Sequence, residues 1–191
     1  MNTNIRRFAS ILLLIVIAGC STTGGAPSAD SNYTGKDAAL DSDVNAALQS
    51  LYAGTPEAKQ LAQRAKGILV FPSVARAGFI GGVEHGTGEL IENGNVTGYY
   101  ATSALSYGLQ AGVQTFGYVM FFMSDSALQN LKTSPGFEVG MGPTIVFVDK
   151  GAARSITTAT MQSDIYAFIF DQKGLMAGMG LKGAKITRLN R

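Results

Sequence analysis

The sequence predicts an α+β fold, mostly β, with N-terminal helices packed on a strongly bent or closed antiparallel sheet. Three observations predict it. Apolar spacing changes from helical to alternating near Gly67. The stretch from Asn93 to Ser124 has no charged residue, and within it residues 99–114 alternate between two faces. Glycine is abundant, 24 of 191 residues, with no collagen period, which fits tight turns and strands that bend closely past each other.

The helical part starts near Lys36. Leu40, Val44, Ala47, Leu48 and Leu51 fall on one face, with Asp37, Asp41 and Asp43 in the first turns, and Gly54 ends the helix. Thr55-Pro56 reads as an N-cap followed by proline at the first helical position, and EAKQLAQRAK forms a second helix closed by Gly67. GILVF (67–71) follows as a strand stopped by Pro72, and AGFIGGVE (77–84) as another. Glu92-Asn93-Gly94-Asn95 carries an Asn-Gly hairpin signal. Beyond it, Tyr99, Ala101, Leu105, Tyr107, Leu109 and Val113 share one strand face, and Thr102, Ser106, Gln110 and Gln114 share the other. That reads as amphipathic strands of a soluble sheet, with a membrane β-barrel as the alternative. SDSALQNLK is a short helix capped by Ser124. PTIVFV (143–148), SITTAT (155–160) and DIYAFIF (164–170) are strands, 171–174 a turn, and GLMAGMGLKGAKITRL one or two glycine-interrupted strands.

Composition excludes several function classes. One Cys rules out a disulfide framework and a multi-Cys zinc site, and one His rules out HExxH chemistry. No metal and no cofactor is expected. Arg6 and Arg7, the run ILLLIVI, and Ala18-Gly19 before Cys20 have the form of a lipoprotein signal peptide over residues 1–19. Ile11 to Gly19 is nine residues, short of the roughly 20 needed to span a bilayer. Cys20 is then the lipid anchor, carrying acyl chains such as palmitate, and two or three chains hold where one is marginal. Ser21 after the Cys, where Asp commonly signals inner-membrane retention, points to the periplasmic side of a bacterial outer membrane. Residues 20–35 form a flexible tether and residues 36–191 the folded domain.

Removing residues 1–19 takes away two Arg and leaves 13 basic against 13 acidic residues, so bulk charge makes no case for nucleic acid. The charge is unevenly placed. Residues 20–149 carry six basic and eleven acidic groups, and residues 150–191 carry seven basic and two acidic. Lys173, Lys182, Lys185, Arg188 and Arg191 are therefore candidate lipid-headgroup ligands, on an anionic phospholipid or another amphiphile. In a regular strand Lys182 and Arg188 share a face and Lys185 points away.

Catalytic signals are thin. His85 lies between Glu84 and Glu89 and reads as a surface polar turn. Asp164 with Ser163 or Ser155 lacks the GxSxG context of a hydrolase. Gly178 to Gly183 matches GxGxxG, but a dinucleotide site needs a following helix and an acid about twenty residues on, and eight residues remain. No enzyme activity is expected.

AKGILVFPSVARAGFIGGVEHGTGEL, SYGLQAGVQTFGYVMFF and DIYAFIFDQKGLMAGMGLKGAKI together resemble the SYLF domain, whose family includes yeast actin-patch proteins partnered with SH3 domains. The likeness runs from about residue 38 to 189. It implies binding of membrane lipids, phosphoinositides and phosphatidic acid in eukaryotes, and actin in some eukaryotic members. In eukaryotic members an N-terminal helix contacts the membrane; it corresponds to residues near 36–52, where Lys36 stands against Asp37, Asp41 and Asp43. Here a lipobox replaces the SH3 or FYVE partner domain, so lipid binding is expected with a different headgroup, and actin is not an expected partner. The alternative is a structural or protein-interaction module of the outer membrane that touches lipid only through its anchor and meets an envelope protein. A hydrolase using His85 is the third reading.

Overall fold

The computed structural model describes residues 33–79, 81–107, 112–148, 162–174 and 183–190. Helix α1 spans Tyr33–Gly54 and α2 spans Pro56–Ala62. α1 begins three residues before the expected start, and Val44, Ala47 and Leu51 form its buried face, as their spacing predicts. Pro56 opens α2, where its missing N–H is one that a first turn leaves unbonded anyway. Thr55 is buried but makes no side-chain cap bond. α2 ends at Ala62, short of Gly67, because the chain is already being recruited into the sheet: the Lys66 N–H donates to the Phe122 carbonyl at 2.7 Å.

Eight strands follow, with a third helix among them: β1 Gly67–Gly78, β2 Gly81–Glu92, β3 Asn95–Tyr107, β4 Gly112–Phe122, α3 Asp125–Thr133, β5 Phe137–Glu138, β6 Ile145–Val148, β7 Ile165–Gly174 and β8 Lys185–Leu189. Pro72 does not stop β1. The register with β2 and with β4 shifts there, and such a bulge leaves a residue outside the hydrogen-bond ladder, where a missing N–H does no harm. AGFIGGVE is not one strand but the corner between β1 and β2, with Gly78 and Gly82 facing each other in register. The β2–β3 reversal is the expected hairpin: Asn93 and Gly94 both have positive φ, 51° and 80°, the two-residue geometry that matches strand twist. Ser124 caps α3 by accepting from the Ala127 N–H. The expected turn at 171–174 is instead the continuation of β7, with Asp171 at φ 50° and a register shift against β4. β5 is two residues long and was not foreseen. The stretch expected as a strand at 155–160 lies outside the described residues, as do residues 175–182.

The strand order is β5-β8-β3-β2-β1-β4-β7-β6, in one strongly curled sheet that stays open. Its pairs are antiparallel except β6 with β7, which run parallel; the antiparallel expectation fails there because β6 pairs with the strand reached by a longer crossover. Both faces are buried over the middle of the sheet. One face packs Leu69, Phe71, Tyr118, Met120 and Phe122 against Leu128 and Leu131 of α3. The other packs Val70, Val119, Phe121 and Phe168 against Val44, Leu51 and Leu61 of the N-terminal helices. Burial on both faces is why GYVMFF in β4 reads as a nearly unbroken apolar run. Each large side chain buried this way contributes about 1.5–3 kcal/mol.

Candidate functional site

Strand alternation decides where the basic residues go. Lys185 and Arg188 are three apart on β8 and point to opposite faces, as the sequence predicts. Arg188 lies opposite Tyr100 in register and donates to the Thr97 carbonyl at 3.4 Å. Its charge acts on Glu92: partial burial pushes that carboxyl up, but hydrogen bonds from Thr97 and Lys132 and the charges of Lys132 and Arg188 together bring it below its ordinary value. Arg188 is thus tied to the electrostatics of the β2–β3 hairpin. Lys185 and Lys173 are exposed on the other face. They close the two ends of a cross-strand row, Lys173–Thr115–Ala75–His85–Ser103–Lys185, across β7, β4, β1, β2, β3 and β8. Five strand steps of about 4.8 Å separate them, roughly 24 Å along the sheet. The stem of Lys185 crosses Gly136, where a Cβ would sit 2.0 Å from its Cε. The ion pairs among the described residues are Lys66–Asp125, Arg76–Glu84 and Lys132–Glu92, so neither Lys173 nor Lys185 takes part in one. Glu138 stands in register beside Lys185, and Asp43 and Asp171 line a hollow with Lys173.

The expected basic set is therefore not one patch: of its described members, Lys173 and Lys185 share a face and Arg188 does not. Lys182, Arg191 and Cys20 lie outside the described residues. His85 is exposed while Glu84 turns to the opposite face, so the two do not meet as an acid–base pair. Asp164 accepts from the Ser124 hydroxyl at 2.8 Å and from the Thr144 hydroxyl and N–H at 2.9 and 3.2 Å. Those bonds hold its pKa below the ordinary value and make it a clamp between the α3 cap and the start of β6. Among the described residues no three His, Cys, Asp or Glu gather to hold a metal ion, and no helix is long and apolar enough to cross a membrane.

What sequence reasoning missed is the sense of the alternation at one end of the sheet. Thr102 and Gln114 face the interior, while Leu105 and Val113 face outward. Val113, Ala77, Val83 and Leu105 form a continuous cross-strand row over β4, β1, β2 and β3. Val113 is 65%, Val83 59% and Leu105 74% exposed, and Phe79 at the neighbouring corner is 73% exposed. On the opposite face, one residue along, runs Gln114–Arg76–Glu84–Ala104. Arg76 is buried there, donates from Nε to Glu84 Oε2 at 3.0 Å, and lies over the Phe116 ring at 5.4 Å. An open hollow of about 560 Å³ at this end is lined by Val83, Leu105, Ser103, Glu84, Glu138 and Lys185, among others.

Residues 103–191 match the Ysc84 family, described as Las17-binding protein actin regulator. This part of the chain is similar to the SYLF family. The match takes in Leu105, Val113, Lys173 and Lys185, whereas Ala77 on β1 and Val83 on β2 precede it. SYLF domains are known for lipid binding and for actin-related roles. No curated protein matches the chain.

Proposed function

We propose that this chain is a lipoprotein of the bacterial envelope, anchored through Cys20 on the periplasmic side of the outer membrane, whose SYLF domain binds anionic lipid or a similar amphiphile without catalysing a reaction. The observation that carries the reading is the placement of Lys173 and Lys185 on one exposed face, outside every ion pair among the described residues. A lysine near an anionic surface contributes on the order of 1 kcal/mol, so the pair supplies about 2 kcal/mol toward lipid phosphates. The SYLF match supports lipid as the partner class, and the lipobox-like string ending at Cys20 supports the anchor. A periplasm-facing domain does not meet actin.

Two measurements test this. Mass spectrometry of the mature chain from the native membrane is expected to find the N-terminal Cys20 acylated; an unmodified thiol sinks the anchor. Co-sedimentation of the mature chain, residues 20–191 carrying Cys20→Ser, is expected to favour vesicles containing phosphatidylglycerol over pure phosphatidylcholine. That preference should fall about tenfold or more in the Lys173→Glu, Lys185→Glu double variant. Equal binding to both vesicles, unchanged by the substitutions, sinks the headgroup reading.

A further inference from the structure

The row Val113–Ala77–Val83–Leu105 is apolar and faces solvent, while the row beside it on the opposite face buries the polar side chains of Gln114, Arg76 and Glu84. Water alone favours the reverse arrangement. Two residues back along the same outward face runs the row that ends in Lys173 and Lys185, with Thr115, Ala75, His85 and Ser103 between and no carboxylate in it. Residues two apart on a strand are separated by about 7 Å. A bilayer presents the same sequence of layers, hydrocarbon and then anionic phosphate, and interfacial elements bury their apolar face by about 5–10 Å.

We infer that this end of the sheet is a membrane-insertion edge: Val113, Ala77, Val83, Leu105 and the corner residue Phe79 enter the acyl boundary of an anionic bilayer, with Lys173 and Lys185 at the phosphates. The inference rests on the lipid-binding reading above and adds where on the domain the bilayer is met and to what depth. The charge pattern selects lipid over a protein partner. Lys173 and Lys185 stand at the two ends of their row, five strand steps apart along the curled sheet, so a ligand that meets both must offer negative charge over the whole row, as a phosphate surface does. The leading row bears no hydrogen-bonding side chain for a partner to read. Glu138 beside Lys185 and Asp43 and Asp171 near Lys173 temper the local charge, so the apolar row supplies part of the affinity.

The test places a single environment-sensitive fluorophore on the mature chain, residues 20–191, in a Cys20→Ser background. The label sits in turn at Val83→Cys, at Leu105→Cys, and at Asn130→Cys on α3 as the aqueous reference. Vesicles are phosphatidylcholine with or without phosphatidylglycerol. The labels at 83 and 105 are expected to shift blue and be quenched by a lipid-borne quencher in phosphatidylglycerol vesicles, with the label at 130 unchanged. The unlabelled Val83→Asp, Leu105→Asp variant, altered only at exposed positions, is expected to bind those vesicles about tenfold or more weakly with its circular dichroism unchanged. Vesicle binding with the labels at 83 and 105 still open to an aqueous quencher overturns the insertion edge and leaves the lipid reading standing. Absence of binding to any vesicle overturns both. Shielding of the same labels in vesicle-free solution, rising with protein concentration, assigns the row to a second copy of the chain and overturns the proposal.

Discussion

Val83 and Glu84 are consecutive residues of β2, yet Val83 stands 59% exposed and Glu84 is buried in an ion pair with Arg76. At the opposite end of the same strand the usual sense returns, with Leu90 buried in the core. One strand thus carries two side-chain regimes: a packed region where both faces are covered, and an end where the charge goes in and the aliphatic group goes out.

The Arg76–Glu84 pair is expected to be asymmetric under substitution. Glu84 Oε2 accepts from Arg76 and its Oε1 has no hydrogen-bond partner, whereas Arg76 also lies over the Phe116 ring. Arg76→Met leaves a carboxylate buried without its cation and should lower stability by about 3–5 kcal/mol. Glu84→Gln should do less damage, because the guanidinium keeps an aromatic face. The double variant Arg76→Met, Glu84→Gln is expected to recover most of the loss, since no charge is then stranded. Urea unfolding of the four proteins reads out the cycle; strictly additive losses would mean that the two groups do not depend on each other.

Legibility from sequence follows how local each decision is. The Asn93-Gly94 hairpin, the Ser124 cap and the α1 face of Val44, Ala47 and Leu51 are each settled within about a dozen residues, and each appears as read. β1 passing through Pro72 was not legible, because the bulge exists only in register with β2 and β4. Alternation over 99–114 showed that two faces differ, but not which one lies inside. That choice is made by Arg76 and Glu84, which reach the interior beside Gln114 from distant parts of the chain. The row Val113–Ala77–Val83–Leu105 is likewise drawn from four strands. The basic tail was visible as a composition, and the opposite facing of Lys185 and Arg188 follows from their odd spacing on one strand; that Lys173 and Lys185 share a face was not legible, because it depends on the register of four strands between β7 and β8.

Two glycines should respond in opposite ways to alanine. A Cβ at Gly88 would sit 2.1 Å from the Val70 carbonyl oxygen, a backbone atom that cannot swing aside. Gly88→Ala is therefore expected to break the β1–β2 register and cost several kcal/mol, on the order of an overpacked core site. At Gly54 a Cβ meets nothing within 4 Å, so Gly54→Ala should be tolerated or stabilise by up to about 1 kcal/mol through the lower entropy of the unfolded chain. Thermal denaturation of the pair checks both signs, and equal behaviour would contradict the close strand approach at Gly88.

Acid should erase the contribution of Asp164. Its pKa is lowered by the Ser124 hydroxyl first and by the Thr144 hydroxyl and N–H next. A depressed carboxyl adds stability above its unfolded value, ordinarily 3.8, and loses it as pH falls through the lower folded value. Asp164→Asn should thus lower the melting temperature at pH 7, and the gap from the unsubstituted chain should close below about pH 4. The site is largely solvated, which holds the loss to roughly 1 kcal/mol or less. A gap that persists unchanged at low pH would show that the side chain acts by shape and not by charge.

Alkali should act through Tyr118. Burial pushes its phenol far above the ordinary value of 10.0, and the Glu84 carboxylate adds to the shift. Its Oη is buried without a hydrogen-bond partner, although the ring stacks on Phe71 at 5.9 Å between centroids. Above pH 10 the unfolded chain releases this proton while the folded chain keeps it, so stability must fall as pH rises, by about 1.4 kcal/mol per pH unit for one such group. Tyr118→Phe removes the orphaned hydroxyl and keeps the ring. It should raise stability at neutral pH by about 1 kcal/mol, because no hydrogen bond is lost and a desolvation penalty is removed. It should also flatten the alkaline slope without abolishing it, since burial raises Tyr52 and Tyr100 as well. Chemical denaturation at pH 8 and pH 11 separates the two effects: a Phe variant less stable at pH 8 would mean that the hydroxyl is bonded in solution, and an unchanged slope would mean that Tyr118 is not the group that titrates late.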